Sequence, residues 1–105
     1  MVFSSNKKIV SDEVLTIIKE KQMDKIIEKW DEILNTVKQE YEISDVSFDT
    51  WIRPLEIFAI EGNTLYILVP SEQMALSYIS KKYLAPLRVA IVEITEIEYE
   101  IKFIL

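Results

Sequence analysis

The sequence predicts an α+β domain, a three-stranded sheet with helices covering one face. Three observations carry that expectation. Apolar residues recur at helical spacing between 12 and 41, and short strand-like runs stand at 55–60, 64–69 and 97–105. Two further helical stretches separate the second run from the third. The chain has 105 residues, half of them hydrophobic and only one a glycine, which suits one domain with a real core and little loop.

The elements follow in order. Ser11 with Asp12 and Glu13 reads as a helix start, because acids in the first turn complement the helix dipole. Val14, Leu15, Ile17 and Ile18 form a short apolar patch, which the polar stretch 19–22 interrupts. Ile26, Trp30, Ile33, Leu34, Val37 and Tyr41 then recur at helical spacing. No glycine or proline forces a break, so 12–41 fits either one bent helix or two. Ser47 is expected to cap a short helix holding Phe48 to Ile52, and Pro54 to end it, since a proline pushes its predecessor out of helical geometry.

Gly62, the lone glycine, lies between two strand-like runs and can take positive φ without penalty, so 55–69 reads as a β-hairpin. Ser71 is expected to cap the next helix, whose apolar side is Met74, Ala75, Tyr78 and Ile79. The stretch 81–86 reads as a joint, followed by a separate helix with the stripe Leu84, Leu87, Ile91 and Ile94 and with Pro86 in its first turn. Finally Ile97, Tyr99, Ile101, Phe103 and Leu105 alternate with Glu98, Glu100 and Lys102, the pattern of a half-buried strand.

Composition removes several kinds of chemistry. The chain has no cysteine, hence no disulfide or thiolate metal site, and no histidine, the commonest general base and transition-metal ligand. There is no GxxxxGK[ST] phosphate loop. The expectation is a protein with no cofactor, no metal and no enzymatic activity. Net charge is −6, distributed unevenly: residues 1–29 hold six Lys against five acids, and 30–105 hold six bases against thirteen acids. Such a body repels nucleic acid on average, because affinity for phosphate backbones rests on basic excess. No apolar run approaches the length of a membrane span, so a cytoplasmic protein without a membrane partner is expected.

One series of motifs goes further. The segment Ser47-Phe48-Asp49-Thr50-Trp51-Ile52-Arg53-Pro54 is followed by Gly62-Asn63-Thr64-Leu65, Pro70-Ser71-Glu72, Tyr83-Leu84 and Ile101-Lys102-Phe103. In that order and near that spacing they resemble the N-terminal domain family of the bacterial replication initiator DnaA, over about residues 26–105. The resemblance implies a KH-like α+β fold, with residues 1–25 as a partly helical N-terminal extension beyond what the family usually carries. It also implies a protein–protein interaction module: self-association, and docking to the replicative helicase, to initiator DnaA or to its regulators. A homo-oligomer is thus an expected form. The alternative function is a weak single-stranded DNA-binding module of KH-like layout, although the chain lacks the GXXG clamp. Neither an excised fragment of an initiator nor a stand-alone relative is favoured decisively by the residues, the long N-terminal segment tilting toward the latter.

Candidate site residues come from the same resemblance. Trp30 matches an aromatic that supports self-association near the start of the family's first helix, and it equally fits the apolar stripe of its own helix. Ser47 and Asp49, with Ser71, Gln73 and Met74, match a partner-binding patch. Family members often carry a Phe near Gln73 or Met74, and Met is an adaptable apolar substitute. Phe48, Trp51, Pro54, Leu65, Tyr83 and Phe103 are expected to be structural core, with Phe48 and Trp51 wedging the short helix between the first helix and the sheet. The acidic residues Glu93, Glu96, Glu98 and Glu100, the lysines at 19, 21, 25 and 29, and Lys81, Lys82 and Arg88 read as solvated faces.

Overall fold

The structure, a computed structural model, describes residues 12–70 and 73–105. Helix α1, Asp12–Glu40, is continuous. The polar stretch 19–22 does not break it, because Lys, Glu and Gln are good helix formers in their own right. Among the described side chains its buried face begins at Ile26 and continues through Trp30, Ile33, Leu34 and Val37. The helix stops with Glu42 in the left-handed region, φ 50°. There the Ile43 N–H donates to the Lys38 carbonyl (2.9 Å) and the Glu42 N–H to the Gln39 carbonyl (3.4 Å). This is the Schellman arrangement, with a glutamate where glycine is usual.

The next helix starts earlier than expected. α2 spans Asp45–Ser47, and Ser44 Oγ accepts from the Ser47 N–H at 3.2 Å. The cap is therefore Ser44, not Ser47. Ser44 has the extended backbone that a capping residue needs (φ −64°, ψ 157°), whereas Ser47 is already helical (φ −64°, ψ −40°). The chain continues as a π-turn, Phe48–Ile52, closed by the Arg53 N–H on the Phe48 carbonyl at 2.8 Å. Arg53 still has helical backbone (φ −54°, ψ −38°), so Pro54 does not push its predecessor out of helical geometry as expected; the turn ends at the proline itself, which has no N–H to continue the ladder.

Strands β1 (Glu56–Glu61) and β2 (Thr64–Leu68) pair antiparallel. Glu61 stands opposite Thr64, so Gly62 and Asn63 form a two-residue loop. Gly62 has φ +58°, at the first loop position, where a hairpin of this length favours glycine. β3 (Glu100–Ile104) pairs parallel with β2, which is central in the order β1-β2-β3. A parallel neighbour needs a long crossover, and α3, Gln73–Thr95, supplies it.

α3 corrects the sequence reading. Residues 81–86, expected as a joint between two helices, are helical throughout, and Pro86 lies inside one long helix. The reason is the unbroken buried stripe Ile79, Tyr83, Leu87, Ile91, which crosses the proline at four-residue intervals. α3 ends at Thr95, a buried hydroxyl that donates to the Ile91 carbonyl (2.7 Å) and accepts from the Ile97 N–H (3.2 Å). Glu96, φ 60°, then turns the chain toward β3.

α1 and α3 pack on each other, α1 also meeting β1 and α3 meeting β3. Ile60, Leu65, Ile67 and Ile101 are buried beneath them. The result is a two-layer α+β arrangement with a three-stranded mixed sheet. Among the described residues no helix is long and apolar enough to cross a membrane.

Candidate functional site

Trp30 comes first because two readings competed for it. It is buried, 9% exposed, and its indole Nε1–H donates to the Leu55 carbonyl at 2.9 Å. That bond ties α1 to the chain just before β1. Trp30 lines two shallow clefts, one with Leu34, Phe48 and Arg53 and one with Ile27, Glu56 and Ile57. The large apolar side chain presented beside it is Ile27, which is exposed.

The second candidate surface is built on α2 and the π-turn. Phe48 and Ile52 point inward and are buried, while Trp51 is half-buried. Lys38 Nζ from α1 and Arg53 Cζ each lie 5.1 Å from the Phe48 ring centroid, so two cations contact this ring. Lys38 also bonds to Asp45, and that hydrogen bond, with the charge behind it, holds the Asp45 carboxyl below its ordinary value. Arg53 Nε donates to Asp49 Oδ1 at 2.8 Å, one turn back on the exposed side. The short helix is thus fastened underneath and carries an ion pair on top.

What it presents to solvent is Val46, 76% exposed, together with Asp49, Thr50 and Arg53. Val46 drew no attention in the sequence, where a valine before Ser47 resembles any core residue. Ser47 is half-buried. Ser71 lies outside the described residues, as do the side chains of Gln73 and Met74. Their neighbour Pro70 lines a narrow cleft of about 70 Å³ with Thr50, Trp51 and Pro54, so the exit of β2 and the π-turn adjoin. Of the expected core residues, Phe48, Leu65 and Tyr83 are buried, and Trp51 and Phe103 are half-buried. Pro54 is exposed, which corrects its placement in the core. It acts locally, at the corner where the π-turn ends, and that role needs no burial.

Trp51 leads to a group that the sequence only half revealed. Its ring lies 4.8 Å from that of Tyr78 on α3, and Tyr78 meets Tyr83 edge-on at 6.1 Å. Lys82 Nζ donates to Tyr78 Oη at 3.0 Å and sits over both tyrosine rings. That hydrogen bond lowers the Tyr78 phenol below its usual value and raises the Lys82 ammonium, while burial pushes Tyr83 up. The four-residue spacing of Tyr78 and Lys82 was visible on a helix. The contact between Trp51 and Tyr78, 27 positions apart in the sequence, had no local signal.

Comparison with known proteins agrees with this architecture. The family model described as the DnaA N-terminal domain matches residues 28–93. A curated relative, the chromosomal replication initiator protein DnaA of Lachnoclostridium phytofermentans, is 36% identical over 83 residues. The alignment covers 76% of this chain but 18% of that protein. The chain therefore spans less than a fifth of the length of the relative it matches.

Proposed function

The chain belongs to the DnaA N-terminal domain family, and from that membership we propose that it is a non-catalytic docking module of replication initiation, acting in the cytoplasm. Its partners on this reading are a replicative helicase, initiator DnaA or the proteins that regulate it. The observation that carries the proposal is the face of the short helix. Val46, Asp49 and Arg53 stand in solvent on a helix whose opposite side is held by Ser44, Lys38 and the buried Phe48 ring. Such a surface is ordered before a partner arrives, which lowers the entropic cost of binding. Self-association through the Trp30 side of α1 belongs to the same reading, with Ile27 as its exposed apolar contact.

The test mixes the full chain with purified helicase and, separately, with full-length initiator at tens of micromolar, followed by size-exclusion chromatography with light scattering. Co-migration with at least one is expected. Val46→Asp and Asp49→Lys should abolish it while leaving the circular dichroism spectrum unchanged, since both side chains are exposed. Failure of the native chain to bind either protein would remove this function.

A second reading has one observation in its favour. Trp51 and Tyr78, adjacent rings tilted by 47°, stand beside the Lys82 cation, and aromatic faces with a cation are the elements of a single-strand platform. If the chain binds single-stranded DNA there, affinity must fall steeply with added salt and fall again in Lys82→Ala. Salt-independent binding, or none, would leave the docking reading alone.

A further inference from the structure

The two edges of the sheet are guarded unequally. β1 carries a bulge between Ile57 and Ala59, with Phe58 as the extra residue, and a glutamate at each end. Bulges and charges of one sign are devices that keep an edge strand from pairing with another chain. β3 pairs with β2 in unbroken register from Glu100 to Ile104, and its outward charges, Glu100 and Lys102, have opposite signs. Its ladder bonds show which backbone groups are already used. The Glu100 N–H donates to the Asn63 carbonyl at 2.8 Å, and the Ile104 carbonyl accepts from the Val69 N–H at 2.7 Å. Even-numbered residues thus turn their backbone toward β2, and Ile101 and Phe103 turn theirs to the open edge.

We infer that β3 is an edge for self-pairing, and that its occupant is β3 of a second copy, antiparallel and centred on Ile101. The register follows from charge and pleat. A shift by one residue would exchange the buried and solvent faces, so only like-facing residues can stand opposite. Centring on Glu100 or on Lys102 sets identical charges against each other. Centring on Ile101 sets Glu100 of each copy against Lys102 of the other, twice. The same register makes Ile101 a hydrogen-bonded pair with its own copy. It leaves Glu100 and Lys102 in the non-hydrogen-bonded positions, where side chains approach most closely.

The helix layer agrees. A two-fold axis through Ile101, perpendicular to the sheet, keeps both α3 helices on one side and brings them toward each other. α3 shows exposed Val89 (45%) and Val92 (39%), which with Ala85 line an apolar groove of about 340 Å³. That groove shares Arg88 and Glu98 with a larger cleft, about 560 Å³, at the start of β3. The valine stripe therefore flanks the edge that would pair, and a second copy would cover both. This surface shares no residue with the short-helix face or with the Trp30 side of α1, so the charge reversals on β3 separate this inference from both parts of the proposed function.

The test is sedimentation velocity on the full chain from about 5 to about 500 µM, a span that resolves micromolar dimers. A reversible monomer–dimer equilibrium is expected. Lys102→Glu and Glu100→Lys, each on an exposed side chain, should weaken it about tenfold or more, since each sets like charges opposite at two positions. The double variant E100K/K102E should restore it. Because the chain has no native cysteine, register can be read directly. Glu100→Cys mixed with Lys102→Cys should form a disulfide-linked dimer under mild oxidation, and neither alone should do so to the same extent. A chain that stays monomeric throughout overturns the inference. So does a dimer indifferent to both single reversals, a double variant that fails to recover, or cross-linking equal in all three cysteine samples. Docking of a partner on the short-helix face should persist in Lys102→Glu.

Discussion

The two long helices make an instructive pair. α1 has no proline or glycine, yet its first half leaves Ile17 (50%) and Ile18 (47%) in solvent, and among the described side chains burial begins at Ile26. α3 carries a proline in its interior, yet buries one residue on nearly every turn from Ala75 to Thr95. α1 is continuous through its first half because its residues favour helix individually. α3 is continuous through its middle because the core holds it there. An interior proline costs about 3 kcal/mol. Full burial of side chains the size of Ile79, Leu87 and Ile91 contributes about 1.5–3 kcal/mol each, so packing outweighs the break.

The comparison breaks most decisively with a pair of truncations. Leu87→Ala removes a fully buried side chain next to the proline and should cost about 2–5 kcal/mol by denaturant unfolding. Ile18→Ala, the same kind of change on the exposed half of α1, should stay within about 0.5 kcal/mol. Similar losses at both sites would mean that α1's first half is packed after all.

Pro86→Ala sharpens the contrast from the other direction. It restores a backbone donor to the Lys82 carbonyl within α3 and removes a ring clash, so a gain of about 1–3 kcal/mol is expected. A loss would show that the proline ring itself serves the packing. A smaller gain is expected where both helices stop. Glu42 and Glu96 occupy left-handed positions (φ 50° and 60°) that glycine takes more easily, so Glu42→Gly and Glu96→Gly should each add about 0.5–1 kcal/mol, read as a rise in Tm.

The subtlest effect lies where the two helices meet. Partial desolvation, and then the neighbouring Glu93 of α3, raise the Glu40 carboxyl above its ordinary 4.5. A carboxyl with a raised folded pKa favours the fold when protonated, and that contribution is lost as pH rises through the folded pKa. Glu93→Gln should therefore raise Tm at pH 7, and the difference should close below pH 4.5. Asp45 has the opposite sign. Its lowered carboxyl supports the fold above 3.8, and that support is lost as pH falls through the lower folded value. Asp45→Asn should thus be costly at pH 7 and neutral in strong acid.

Much of the fold was legible. Strand alternation, expected over 97–105 and realised over Glu100–Ile104, the glycine between two strand-like runs and the helical stripe from Ile26 each have a local physical cause, and the family follows from motifs set around them. The candidate site was less so. Asp49 and Ser47 were singled out, but Val46 was not, because an isolated valine carries no sign of which way it faces. The core placement of Pro54 failed for a related reason: apolar composition does not fix burial at a corner.

Period and propensity, properties of neighbours in the chain, sufficed for the kinds of element, the hairpin, the layer class and the exclusion of histidine and cysteine chemistry. Only the tertiary structure decided that 81–86 is helix, that Ser44 is the cap, that Trp30 is spent on the Leu55 carbonyl and that Trp51 meets Tyr78. Each of those depends on contacts or backbone geometry that arise once the distant parts of the chain have packed, and no window of adjacent residues contains them.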